Sequence, residues 1–329
     1  MFGKRSDGTQ VRGMDPVVKA MPYFMSHRYD ALNMMQETID VEGMDAYIKN
    51  EAKEKGIHFT YMHVVMAALV RIYALRPIVN RFIVNGKIYQ RKDITFSLNV
   101  KKSLTDEGEE GLVKLHFKGN ESIYEVKEII DKAVAENLKA PDSNGAEKII
   151  RVLGAMPGFV YKIFVGLMRL LDRWGILPAS LIEVSPFHTG LYFTNLKSIK
   201  NDAIFHHIYD FGTCSVFVSM GKEKMMPVVV DNERLEIGKR MNLGITMDER
   251  ICDGFYFAKS LRIFKKILSD PTVLNEGLDL PALRSKKEQK QEKKQAKKLA
   301  KKQKAQLKVE QEREKEAAAT RELPPDDVA

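Results

Sequence analysis

Cysteine is scarce in this chain of 329 residues, which contains only Cys214 and Cys252. Two thiols 38 positions apart provide neither a disulfide framework nor the close spacing of a metal site. The N-terminus also lacks the apolar core of a signal peptide. We therefore expect a cytoplasmic protein with reduced thiols and no bound metal.

A glycine-rich phosphate loop is also missing, since "GKEK" at 221–224 lacks the rest of that motif. The formal net charge of +9 is concentrated near the C-terminus, where residues 286–316 hold thirteen basic and six acidic side chains. The remainder is nearly balanced, which argues against a basic groove in the folded part. We expect residues 279–329 to be a solvated tail, partly helical or disordered. Contact with nucleic acid is expected only through this tail, and contact with an anionic membrane is a further alternative.

The apolar fraction of 44% is sufficient for a sizeable core. Helical patterns occupy 41–56, 60–77, 122–138 and 253–271, and β-prone runs lie between them. Asn85-Gly86 predicts a hairpin over 80–91, and Asp231-Asn232 predicts a second one. Because strands and helices do not alternate regularly, we predict one α/β domain. Its fold would be a two-layer sandwich of a mixed, largely antiparallel sheet with packed helices.

Several segments follow one another in a familiar order. They are "HVVMAALVRIYALRPIVNRFIVNGKIYQRKDITFSLNV", "EGLVKLHF", "YFTNLKSI" and "ITMDERICDGFYFAKSLRIFKKILSDP". In this order they resemble the catalytic domain of the acyltransferase component of 2-oxoacid dehydrogenase complexes. The wording "ICDGF" is also similar to chloramphenicol acetyltransferase, a structural cousin. The resemblance covers roughly residues 21–272.

This resemblance implies a coenzyme A-dependent acyltransferase fold and a homotrimer with active sites at subunit interfaces. Donors would be coenzyme A or lipoyl thioesters, which act as substrates, with no tightly bound cofactor. The expected organisation is a flexible segment at 1–20, an acyltransferase-like domain at 21–278 with an apolar helical insertion at 146–180, and the tail. Only about twenty residues precede the matched region, so we expect no lipoyl or subunit-binding domain upstream.

The resemblance also assigns catalytic positions. The family motif His-x-x-x-Asp-Gly falls on residues 249–254, which places Glu249 where the family has its catalytic histidine. Thr194 takes the position of the hydroxyl that stabilises the oxyanion, and Asp253 that of the aspartate that shapes the loop. Substrate-binding candidates are Asn195, Gly254 and His188, the last also as a relocated base.

Glu249 leaves two hypotheses open. Glutamate is a weaker base than histidine, with ordinary pKa values of about 4.3 and 6.5, although burial can strengthen a carboxylate as a base. The chain is then an acyltransferase with an altered base and an unidentified acceptor. Alternatively Glu249 pairs with Arg250 or another cation, and the chain is a trimeric pseudoenzyme that serves as a scaffold or binds acyl-CoA.

The segment "MPGFVYKIFVGLMRLLDRWGILP" at 156–178 has no counterpart in that family. It predicts a helix from Pro157 to Trp174 with a narrow basic stripe of Lys162, Arg169 and Arg173. Three placements remain open: packing over the sheet or a trimer interface, an in-plane helix giving peripheral membrane contact through 156–174, and a membrane-spanning helix.

Overall fold

The computed structural model describes residues 5–101, 110–139, 154–230 and 233–278. The chain divides into one compact unit over residues 1–278 and a second over 279–329. The predicted tail, the start of the predicted insertion and the turn at Asp231-Asn232 lie outside the described residues.

The described residues contain nine strands, which form two sheets. They are β1 (Gly8–Gln10), β2 (Leu32–Asp40), β3 (Arg81–Val84), β4 (Lys87–Arg91), β5 (Ile94–Lys101), β6 (Glu110–Phe117), β7 (Leu191–Asn195), β8 (Val216–Val230) and β9 (Arg234–Asp248). The larger sheet has the order β2-β9-β8-β7-β5-β6, and the smaller one β1-β4-β3. In the larger sheet β7 is parallel to β5 and β8, and the other pairs are antiparallel. The predicted mixed, largely antiparallel sheet is confirmed.

The helices are α1 (Pro16–Phe24), α2 (Glu42–Lys55), α3 (Tyr61–Leu75), α4 (Ile123–Lys139), α5 (Gly158–Trp174), α6 (Ala179–Val184) and α7 (Gly254–Ser269). Helix α3 is buried at every position except Met62 and Leu75, as its apolar composition predicts. It packs with α7 against the larger sheet, where Leu69, Phe257, Phe264 and Leu243 surround one small apolar space. The α/β class and the packed layer of helices are therefore confirmed.

The first hairpin is confirmed. Asn85 and Gly86 adopt φ of 51° and 70° between β3 and β4. Two residues in the left-handed region form the tight turn that a twisted two-stranded hairpin favours. In the second half of the domain the β-prone runs form β7 and the two long strands β8 and β9, and β8 and β9 pair with each other as far as Val230 opposite Arg234. The pairing of β8 with β9 shifts in register between Met220 and Glu223.

The expectation of a flexible segment at 1–20 is wrong for residues 5–20. Strand β1 pairs with β4, with Gly8 opposite Arg91, and α1 begins at Pro16 with the Asp15 carboxylate accepting a hydrogen bond from the amide of Val17. Arg5 is buried. This segment is polar in sequence, and long-range partners supply the order that its composition does not predict.

The apolar segment at 156–178 forms helix α5, which ends at Gly175 with φ of 70°, a left-handed cap that glycine adopts without strain. In the described part of the chain, no helix has both the length and the apolar character needed to cross a bilayer.

Candidate active site

The segment that carries the altered motif lies at the end of β9. Asp248 is fully buried and accepts hydrogen bonds from Nε and Nη2 of Arg250 at 2.8 and 2.7 Å. Nε of Arg28 lies 3.6 Å from the same carboxylate. Arg250 also donates from Nη1 to the carbonyl oxygen of Met25 at 2.7 Å. This buried ion pair fixes the turn Glu249–Ile251, because a carboxylate held by two guanidiniums has little freedom.

Glu249, between Asp248 and Arg250, is exposed. The pairing with Arg250 that the sequence suggested is wrong, since Arg250 contacts Asp248 instead. Glu249 makes no hydrogen bond or ion pair to any residue that the structure describes. The described residues of a single chain therefore do not bury Glu249, and without burial its carboxylate is not strengthened as a base.

Asp253 has an architectural role. Its Oδ1 accepts a hydrogen bond from the amide of Tyr256 at 2.8 Å and caps the N-terminus of α7. Gly254 begins the helix and is exposed, and a Cβ built on it would meet no atom within 4 Å among the described residues. Packing within one chain thus leaves open space in front of the turn.

Thr194 and Asn195 lie at the end of β7 and are partly buried. The Asn195 amide contacts Sδ of Met62 at 3.7 Å, and its Oδ1 is buried without a hydrogen-bond partner in the described structure. The Thr194 hydroxyl makes no hydrogen bond to the described residues and keeps some exposure. Both side chains have unused hydrogen-bonding capacity.

One chain does not bring Thr194 and Glu249 together. Thr194 lies beside Ser219 of β8, which pairs with Gly244 of β9. Glu249 follows Gly244 by five residues, or about 17 Å along an extended strand at ~3.4 Å per residue. A hydroxyl and a carboxylate at this separation cannot act on one carbonyl group.

His188 is enclosed in the interior, with an exposed fraction of 1%. Its Nδ1 lies 2.7 Å from the Ser185 hydroxyl and its Nε2 lies 3.4 Å from Oδ1 of Asp172. Burial lowers the pKa of His188, and the opposing effect of Asp172 is smaller. The structure thus places this predicted substrate-binding residue behind Asp172 without access to solvent. No group of three metal-ligating side chains occurs in the described ranges.

Sequence reasoning missed Arg28 as a partner of the motif segment. Its Nη1 and Nη2 donate to the carbonyl oxygens of Tyr209 and Gly212 at 2.5 and 3.1 Å. No local pattern marks Arg28, because its partners are more than 180 positions away.

Comparisons with known proteins agree with this architecture. The family model "2-oxoacid dehydrogenases acyltransferase (catalytic domain)" matches residues 214–275. No curated protein sequence matches the chain. A probable dihydrolipoamide acetyltransferase from Listeria monocytogenes superposes with a TM-score of 0.51 at 16% identity, covering 83% of this chain and 98% of that one.

Two further structures are similar at a TM-score of 0.50. The cubic core of a pyruvate dehydrogenase multienzyme complex is 13% identical, over 81% of this chain and 93% of that chain. The dihydrolipoamide acetyltransferase of Azotobacter vinelandii is 14% identical, over 80% and 94%. At these identities the likeness establishes the fold, and the predicted resemblance is confirmed.

Proposed function

We propose that this chain, which has the fold of the 2-oxoacid dehydrogenase acyltransferase catalytic domain, transfers an acyl group from a coenzyme A or lipoyl thioester to an acceptor still to be identified. The match of the family model to residues 214–275 carries this proposal. That range runs from β8 through α7 and includes Glu249 and Asp253. The chain therefore keeps the strand, turn and helix around the catalytic position, with glutamate in place of the family's histidine.

The active site is shared between two subunits of a homotrimer. The separation of Thr194 from Glu249 within one chain supports this arrangement, as do the exposure of Glu249 and the open space at Gly254. A second subunit that brings its Thr194 to this Glu249 would also bury the carboxylate. Burial disfavours the charged form and makes the carboxylate a stronger base.

The chemistry needs only these two side chains and the substrates. The Glu249 carboxylate accepts the proton of the acceptor as the acceptor attacks the thioester carbonyl, and the Thr194 hydroxyl donates to the oxyanion that forms. The carbon–sulfur bond then breaks, and the leaving thiolate takes the proton back from Glu249. Coenzyme A is thus a substrate, bound for one turnover.

The alternative is a trimeric pseudoenzyme that serves as a scaffold or binds acyl-CoA. The observation that favours it is the exposed Glu249 without a contact in the described structure. In this alternative Asp253 and the Asp248–Arg250 pair are retained because they cap α7 and fix the turn.

Release of free thiol from a panel of acyl-CoAs with thiol, hydroxyl and amine acceptors tests the proposal. We expect turnover by the wild type and its loss in Glu249→Ala and Thr194→Val. Glu54→Ala, which removes an exposed glutamate on α2, is the matched control and should retain full activity. Equal rates for the wild type and Glu249→Ala would disprove the altered base. Turnover only in Glu249→His would establish the pseudoenzyme.

Peripheral membrane contact through residues 156–174 is a separate proposal. It is supported by α5, whose outer face exposes large apolar side chains such as Phe159, Ile163 and Leu167. The cytoplasmic location remains a prediction. A role of residues 279–329 in contacting nucleic acid also remains a prediction, because that segment lies outside the described residues.

A further inference from the structure

Helix α5 exposes an apolar stripe along its whole length. Its members recur at spacings of four, four, three and four, which places them on one helix face. They are Phe159, Ile163, Leu167, Leu170 and Trp174, and their exposed fractions lie between 41% and 68%. A continuous exposed stripe of this kind marks a binding surface.

The charge beside this stripe is of one sign. Lys162, Arg169 and Arg173 flank it and are exposed. The single acidic residue of α5, Asp172, faces inward and accepts a hydrogen bond from Arg5 at 2.6 Å. An apolar helix face flanked only by basic side chains matches the surface of an anionic bilayer.

A cavity of about 470 Å³ adjoins the basic flank. It is formed by the end of α1, the turn between β3 and β4, α5, and residues near 210–212. Its lining includes Ser26, Arg28, Arg169, Asp172, Arg173 and Asp210. This volume lies within the range of about 300–1,000 Å³ that is usual for small-molecule sites.

The acidic groups of the lining already have partners. Asp172 contacts Arg5, and Asp210 lies 3.7 Å from Nδ1 of His27 and accepts a hydrogen bond from the amide of Arg28. The guanidiniums of Arg28 and Arg250 face Asp248.

Among the described residues, two guanidiniums at the cavity have no acidic partner. Within the described residues, Arg173 donates to one acceptor, the neutral Oδ1 of Asn85, at 3.0 Å. Arg169 has no hydrogen bond or ion pair to the described residues. A pair of uncompensated guanidiniums on successive turns of one helix is suited to bind a phosphate.

We propose that the outer face of α5 docks on a bilayer that contains anionic phospholipid, and that the cavity binds the phosphate of one lipid between Arg169 and Arg173. This inference rests on the membrane contact proposed above and is independent of the acyl-transfer chemistry. The apolar stripe enters the interface between head groups and acyl chains. The cavity then favours anionic lipids, whose phosphate is not neutralised by a cationic group of the same head group such as the choline of phosphatidylcholine.

Binding of the full chain to vesicles of phosphatidylcholine alone, and of phosphatidylcholine with about a quarter phosphatidylglycerol, tests this proposal. We expect the wild type to bind the anionic vesicles more tightly. The charge-preserving double variant Arg169→Lys, Arg173→Lys should weaken that binding about tenfold, because lysine cannot replace a bidentate guanidinium. Lys162→Arg is the matched control, on the same flank but outside the cavity lining, and should bind as the wild type does.

Two further variants separate the components. Ser26→Phe fills the cavity without a change of charge and should weaken binding to anionic vesicles. Ile163→Ser with Leu167→Ser should abolish binding to all vesicles. If the double lysine variant binds like the wild type, or if the wild type does not distinguish the two vesicles, the phosphate site is disproved while membrane contact stands. If the wild type binds neither vesicle, both are disproved.

Discussion

Oδ1 of Asp172 on helix α5 lies 3.4 Å from Nε2 of His188, which precedes β7. The same carboxylate accepts a hydrogen bond from Arg5 beside β1, and Arg5 also pairs with Asp7. Helix α5, an N-terminal segment and the loop before a central strand are thus joined by one buried ionic cluster. Burial raises the pKa of Asp172, but His188 and Arg5 outweigh it, so this pKa lies below its usual value.

Replacing Asp172 by alanine should destabilise the fold by about 1.5–3 kcal/mol, because the buried guanidinium of Arg5 loses one of its two carboxylate partners and keeps Asp7. Urea denaturation followed by circular dichroism measures this difference. Lys162→Ala, on the same helix but exposed, should change the free energy of unfolding by less than about 0.5 kcal/mol. Similar denaturation midpoints for the two variants would contradict a stabilising role of the cluster.

The burial of His188 predicts a pH dependence of stability. The pKa of His188 is lower in the folded state than the ordinary value of 6.5. Between these two pH values the His188 imidazole is neutral in the folded protein and protonated in the unfolded chain. The free energy of unfolding should therefore fall as the pH drops from about 7 toward the folded pKa.

His188→Asn should flatten this part of the profile. His63 and His206 also have lowered pKa values. Both are present in the wild type and in His188→Asn, so their contributions cancel when the two pH profiles of stability are subtracted. His207→Asn removes an exposed imidazole and serves as the control. An unchanged slope between about pH 7 and 5 in His188→Asn would show that His188 is not the group that titrates.

Both cysteines should be unreactive in the native protein. Burial raises the pKa of Cys214 to about 11 and that of Cys252 to about 12. The thiolate is the reactive form, and its fraction at pH 8 is then very small. A chromogenic disulfide reagent should label neither thiol before unfolding and both in denaturant. Ser198→Cys adds an exposed thiol as the positive control. Rapid labelling of Cys252 in the native protein would show that the turn before α7 opens.

Mixed trimers test whether the active site is shared. Thr194→Val and Glu249→Ala subunits should each be inactive alone. Unfolded together in equal amounts and refolded, they should recover about one quarter of the wild-type activity, because random assembly gives that share of interfaces with both side chains. A site within one subunit would recover none.

The control mixes the wild type with the double variant in equal amounts. A shared site predicts about one quarter of the wild-type activity, whereas a site within one subunit predicts about half. The two mixtures together therefore identify the arrangement without knowledge of the trimer structure.

Local signals predicted those elements whose partners are near in sequence. The turn at Asn85-Gly86 and helices α3 and α7 follow from glycine, proline and apolar spacing. Strand β2 (Leu32–Asp40) was missed, because it pairs only with β9 at one edge of the sheet and carries many polar side chains. Strand β1 was missed for a similar reason, since its partner β4 is about eighty residues away.

The sequence by itself determined the α/β fold and its resemblance to the acyltransferase domain, because apolar runs and turns are local patterns whose order can be identified in the sequence. Only the tertiary structure decided the surroundings of the motif. Arg250 turns inward to Asp248, Glu249 faces outward, and Thr194 lies at the far end of the strands. His188 and Asp172 are in contact in the interior, whereas the sequence predicted His188 as a substrate-binding residue or a relocated base. Ion pairs and exposure depend on contacts between distant segments, and no local pattern encodes them.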